Sequence, residues 1–154
     1  MKVSVQVEGL DATVRAFNAY GRDANRELRQ AAGVHVDRVV GMLNTAAANA
    51  GKGAALSAGS VKRKSDRVPA LTAGGSRKVR SSTGKVTAGD VFFGYEFGGG
   101  RRPTTQQFPP WLGKVGYWFW PLLRREMPAL RRAYIATLDD LSRKWAAGGD
   151  RTGG

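Results

Sequence analysis

Cysteine is absent from the 154 residues, and histidine occurs once, at position 35. Disulfides and thiolate metal sites are thereby excluded, and a zinc ion finds no plausible ligand set. A reducing compartment is allowed. No apolar run approaches the ~20 residues that span a bilayer. The opening MKVSVQVEG alternates like a strand and lacks the apolar core of a signal peptide. The expectation is a soluble protein made and used in a cytoplasm, without membrane contact. Acidic residues are scarce, 12 against 25 Lys and Arg, for a net charge of +13.

That charge is uneven. Residues 1–49 carry six basic and five acidic groups, residues 50–114 twelve and three, and residues 115–154 seven and four. The excess therefore sits in the glycine-rich middle. Such a balance favours attraction to acidic surfaces or phosphates and says little about fold.

Catalytic templates are missing as well. Gly51-Lys52-Gly53 leads into Ala54-Ala55, and Lys52 is followed by Gly rather than Ser or Thr, so no phosphate-cradling loop opens a helix. Gly98-Gly99-Gly100 runs into Arg-Arg-Pro and lacks the dinucleotide-binding spacing. Asp139 and Asp140 are adjacent, so on a helix their carboxylates point to different faces. His35 lies on an apolar stripe with no partner at a useful spacing, and is expected as a hydrogen-bonded core residue. Glu96 is the single acid among the aromatics, and an ion pair with Arg101 or Arg102 is its expected role. The chain reads as a non-enzyme without metal or cofactor.

What is present divides into elements. Val3, Val5 and Val7 alternate with polar residues, giving a half-buried strand closed by Gly9. Asp11 is a reasonable N-cap for one long helix over 11–48, weakened near Gly21. Its stripe is Leu28, Ala31, Ala32, His35, Val39, Met42, Leu43 and Ala46. Residues 49–66 show neither period and read as a flexible, basic, glycine-rich insertion. Residues 68–72, 77–80 and 85–87 are candidate short strands. Met127, Leu130, Tyr134, Leu138, Leu141 and Trp145 form a helical seam. Pro121 and Pro128 suit first turns, which predicts a short helix over 121–126, a kink, and a helix over 128–146.

Ten of the fourteen aromatic residues lie between Val91 and Pro121. Val91, Phe93, Tyr95 and Phe97 alternate with Phe92, Gly94 and Glu96, which predicts a strand over 91–97. Next comes a proline-bracketed loop, then Tyr117-Trp118-Phe119-Trp120-Pro121. The fold class expected is α+β: a small, mainly antiparallel sheet packed against a long N-terminal helix and C-terminal helices. It forms a single domain over 1–147, with a disordered tail over 148–154.

Three segments together carry a resemblance. They are VSVQVEGLDATVRAF, GYEFGGGRRPTTQQFPP and GYWFWPLLRREMPALRRAYIATLDDL. In this order they resemble the small neck, or minor tail (tail-completion, tail-terminator-like), proteins of long-tailed siphovirus-type bacteriophages. The matching positions are a valine-rich strand with "EGL" before a long helix, and Tyr95-Glu96-Phe97-Gly98 with shorter spacing than the family's pattern. After these come Thr105 to Pro110, and Phe119 to Arg124. The resemblance covers about two thirds of the chain and leaves 50–88 unassigned.

It implies an α+β structural virion protein, assembled in the host cytoplasm, that forms a ring, hexameric in expectation, at the head–tail junction. The ring would complete the tail end around the DNA channel. Implied partners are further copies of itself, a head connector or stopper protein, and the tail tube protein. Genomic DNA would pass through the lumen without sequence-specific binding. A ring would bury an exposed aromatic loop between neighbours, so Arg101, Arg102, Thr104, Gln107, Phe108, Pro109, Pro110 and Trp111 are the expected subunit or partner interface. Lys62, Arg63, Lys64, Arg67, Arg77, Lys78 and Arg80 are the expected basic arm or lumen lining. The alternative is a basic DNA-binding accessory protein, sequence-independent, with those cations on phosphates and Phe92, Phe93 and Tyr95 stacking on bases.

Overall fold

A computed structural model describes residues 2–10, 14–15, 20–79, 84–99 and 107–149. The fold is α+β, with a three-stranded antiparallel sheet, a long N-terminal helix and a C-terminal helix. In chain order the elements are β1 (Lys2–Gln6), α1 (Gly21–Asn49), α2 (Lys52–Ala55), β2 (Lys62–Arg63) and β3 (Ala70–Gly74). α3 (Ala88–Phe97), a 3₁₀ turn (Gly113–Val115) and α4 (Phe119–Gly149) follow. The strand order is β1-β3-β2. Lys2 faces Gly74 and Gln6 faces Ala70 across the β1–β3 ladder, and Lys62 faces Thr72 across β2–β3.

α1 and α4 form the largest element contact, and they run antiparallel. Glu27, His35 and Arg38 ascend α1 as their partners Lys144, Thr137 and Glu126 descend α4. The buried stripe of α1 includes Leu28, Ala32, Gly33, Val36, Val39 and Leu43. It meets Phe119, Leu123, Leu130, Tyr134 and Leu138 of α4 in one apolar cluster that also takes in Leu71 of β3 and Phe92 of α3. His35 is half-buried, with Nε2 2.8 Å from Thr137 Oγ1 and its ring edge-on to Tyr134. Partial burial disfavours the imidazolium and lowers its pKa.

Several expectations are corrected. The largest concerns 91–97, which is not a strand: Ala88–Phe97 is helical. Thr87 caps it, its Oγ1 accepting from the Asp90 amide at 3.2 Å while Asp90 Oδ2 accepts from the Thr87 amide at 3.0 Å. This reciprocal box satisfies two donors that the first turn would otherwise leave unpaired, and the hydrogen bonds from Thr87 hold the Asp90 carboxyl below its usual range.

Of the helix expected over 11–48, Val14 and Arg15 are helical and α1 covers Gly21–Asn49, while residues 11–13 and 16–19 lie outside the described residues. Gly21 has φ of +85°, outside right-handed helix geometry, which puts the expected weak point at the first residue of α1. Residues 49–66 hold the α2 turn and β2 rather than no element. Lys78 and Thr87 make one isolated bridge, and residues 85–87 form no strand.

α4 is one continuous helix with Pro128 inside it, without the expected break after 126. Pro128 is exposed, so water can satisfy the carbonyl its missing N–H leaves free, while Leu123, Leu130 and Tyr134 keep both halves of the helix on the core. Of the tail expected over 148–154, Gly148 and Gly149 continue α4 instead, and Asp150 to Gly154 lie outside the described residues.

Candidate functional site

The most distinctive local structure joins α3, residues 107–117 and the start of α4. Glu96 lies one residue before the end of α3, four residues after the buried Phe92, and so on the same helix face. Its side chain is fully buried. Oε2 accepts from the amides of Trp118 at 3.0 Å and Phe119 at 2.8 Å, and Oε1 accepts from the amide of Trp120 at 2.9 Å. These are amides at the N-terminus of α4, which carry the positive end of the helix dipole and have no intrahelical acceptors. One carboxyl therefore caps the next helix from 22 residues away.

Burial pushes the Glu96 carboxyl above its ordinary value, and the backbone amides pull it back without cancelling the shift. Glu96 accepts from this amide cage; its expected ion-pair partners, Arg101 and Arg102, lie outside the described residues. Gly116 makes the approach possible. A Cβ there would stand 1.9 Å from Glu96 Oε1, and its φ of +75° is one that L side chains rarely adopt.

The intervening chain is tied down at many points. Leu112 N–H donates to Phe97 O at 2.9 Å, Tyr117 N–H to Glu96 O at 2.9 Å, and Gly99 N–H to Pro109 O at 2.7 Å. The Tyr95 hydroxyl donates to Gln107 O at 2.8 Å, and the Tyr117 hydroxyl to Pro110 O at 2.7 Å. Arg124 forks onto Val115 O at 2.8 Å and Lys114 O at 2.5 Å. Phe108 stands edge-on to Tyr95, ring centroids 5.0 Å apart, in space left by Gly94, where a Cβ would lie 2.2 Å from the Phe108 ring. Beneath, Phe92, Trp118 and Phe119 make mutual edge-to-face contacts at 5.0–5.8 Å.

What this scaffold presents outward is apolar. Trp111 is 62% exposed, Val115 59%, Leu112 42% and Tyr117 40%. The four side chains fall within one short segment, residues 111–117. Of the expected interface residues, Gln107, Pro110 and Trp111 are exposed, Phe108 and Pro109 are half-buried, and Arg101, Arg102 and Thr104 lie outside the described residues. Leu112, Val115 and Tyr117 were not among those expected. Their signal was the run of large apolar residues continuing past Pro110 without a helical or strand period.

The expected basic arm is spread out. Lys62 and Arg63 form β2 at one sheet edge. Arg63 pairs with Asp37 at 2.9 Å and lies across Gly33, and Lys64 pairs with Asp66 at 3.7 Å. Arg67 reaches Asn25, and Arg77 donates to the carbonyls of Leu56 and Ala58. Lys78 joins the bridge to Thr87, while Arg80 lies outside the described residues. The stacking platform is corrected too: Phe92 is fully buried, and Phe93 and Tyr95 pack against the core.

Among the described residues there is no cluster of three potential metal ligands and no helix long and apolar enough to cross a membrane. Asp139 and Asp140 are both exposed, without a shared site. The arrangement holds the surface of residues 107–117 in place. No protein-family model, no curated protein and no solved structure matches the chain.

Proposed function

We propose that the chain is a structural protein of the phage neck, which self-associates into a ring at the head–tail junction, completes the tail end and joins it to the head. The observation that carries this reading is the exposed apolar strip of Trp111, Leu112, Val115 and Tyr117, held by the Glu96 cage and the Arg124 fork. A monomer gains nothing from fixing such a strip in water. A closed ring would bury every copy of it, since each subunit's strip would meet the same neighbouring surface. The ordered motifs from VSVQVEGL to WPLLRR support the same reading. The net charge of +13 suits a ring whose lumen passes DNA without reading it.

The ring would place head connector or stopper protein on one side and tail tube protein on the other. A cell producing particles without this chain tests that placement. Filled heads and separate tails should accumulate, and adding the purified chain should restore joined particles. Joined, infectious particles in its absence would overturn the proposal.

A further inference from the structure

A second surface adjoins the aromatic strip at Lys114 and Arg124 and extends along the start of α4 to β1. Its centre is the outer edge of β1, which pairs with no strand among the described residues. The Val7 amide donates to Pro69 O at 3.1 Å, and Val5 and Val3 stand opposite Leu71 and Ala73. In an antiparallel ladder the residues exchanging hydrogen bonds alternate with those that do not. The odd-numbered residues of β1 therefore turn their main-chain groups toward β3. Ser4 and Gln6 turn theirs away from the sheet, and both residues are exposed.

Beside that edge is an open groove of about 850 Å³, bounded opposite by α4. Val5, Val7, Leu123 and Met127 contribute apolar wall. Lys114, Arg124 and Arg131 also line it, with Glu8 as the single acid. Among the described residues none of those three cations has a carboxylate within 4.0 Å. Unpaired strand edges are usually blunted by charge, proline or cover; here Ser4 and Gln6 carry neither charge nor ring.

We propose that this groove binds an extended, acidic segment of a partner protein, which adds to the sheet as a fourth strand beside β1. Main-chain bonds to Ser4 and Gln6 give the affinity, apolar side chains fill the wall between Val5 and Met127, and carboxylates flanking them meet Lys114, Arg124 and Arg131. The charge of the lining decides the occupant. A second copy of this chain is a poor fit, because none of its described strands carries a carboxylate. The inference does not rest on the ring, since β1, Met127 and Arg131 lie outside the aromatic strip, while Lys114 and Arg124 are shared with the scaffold that holds it.

The probe is a capped peptide with a Val-Thr-Val-Thr centre flanked on each side by two glutamates. Its binding is read by amide hydrogen exchange and by the fluorescence of Trp120, which also lines the groove. Exchange at the Ser4 and Gln6 amides should slow at least tenfold on saturation, and N-methylation of the peptide's central amides should weaken binding at least tenfold. Lysine flanks in place of glutamate should abolish binding. Gln6→Pro removes one outward N–H at an edge position that tolerates proline and should weaken binding while circular dichroism stays unchanged. Arg131→Glu should do the same through charge. Unaltered exchange at Ser4 and Gln6, or equal binding of the two charge forms, would overturn the proposal. So would concentration-dependent self-association that Gln6→Pro abolishes, since the occupant would then be a second copy.

Discussion

Replacing Glu96 by glutamine exchanges one buried oxygen for an NH₂ group and leaves the side-chain volume nearly unchanged. One oxygen remains to accept from α4's amides, but the nitrogen must face a donor. With the retained oxygen on Trp118 and Phe119, the Trp120 amide loses its acceptor and gains a repulsive neighbour. An unsatisfied buried donor costs ~1–3 kcal/mol, so Glu96→Gln should destabilise the fold by about that amount. Glu96→Ala strips all three amides. The burial of the carboxyl, which is itself unfavourable, returns part of that loss, leaving a net cost of about 3–4 kcal/mol. Gly116→Ala reaches the same cage from the other side and should cost at least as much as the glutamine variant.

The pH dependence has a defined sign. The folded pKa of Glu96 lies above its ordinary 4.5, so the folded chain holds the proton more tightly than the unfolded chain. The stability linked to this group is fully present below the unfolded value and is lost as pH rises through the folded one. Urea melts of wild type and Glu96→Gln at several pH values from about 4 to 8 should show the wild-type advantage shrinking as pH rises through that window. A Glu96→Gln cost below ~0.5 kcal/mol at every pH would refute the amide cage as a keystone of the site. An advantage that grows with pH would show that the amide bonds outweigh burial.

Other expectations use different probes. The Glu27 carboxyl is held below 4.5 chiefly by Lys144, with Trp145 Nε1 adding a bond at 3.1 Å. Its contribution is therefore present above pH 4.5 and lost as pH falls through the lower folded value. Because the pair is solvent-screened, Glu27→Gln should remove less than ~1 kcal/mol, and only above that window, in thermal melts across pH. Gly94→Ala should displace Phe108 from Tyr95 and cost ~1–3 kcal/mol despite the gain in helix propensity; a stabilised variant in urea melts would contradict the close packing. Trp111→Ser should change stability by no more than ~0.5 kcal/mol, because the indole is largely in water, yet abolish self-association in sedimentation.

The C-terminal seam was legible because Leu130, Tyr134 and Leu138 sit at helical spacing with charges on the other faces. β1 was legible from its alternating valines. The segment over 88–97 was not, for a physical reason. Val91, Phe92 and Glu96 are buried, and Phe93, Gly94 and Tyr95 half-buried, around most of the helix circumference. With no polar face, the 3.6-residue period had nothing to stand against, and the alternating aromatics imitated a strand. Thr87 and Asp90, at capping-box spacing, were the signal that favoured a helix.

Glu96 stood out as the lone acid among aromatics, but its partners are main-chain amides 22 to 24 residues away, which no side-chain pattern encodes. The exposure of Trp111 was legible in the sequence, whereas that of Leu112, Val115 and Tyr117 was not, because it depends on how Arg124 and Tyr117 fold the loop back. The groove beside β1 was wholly illegible, being assembled from Ser4–Glu8 and from residues 89 to 127 positions further along the chain.

The central claim is that the aromatic strip is a joint between copies. Native mass spectrometry of the purified chain, alone and with tail tube protein, tests it most directly. The account predicts a closed ring of one defined copy number for wild type and a folded monomer for Trp111→Ser. A wild-type chain that remains monomeric under both conditions would contradict it, as would a ring that persists unchanged when Trp111 is replaced.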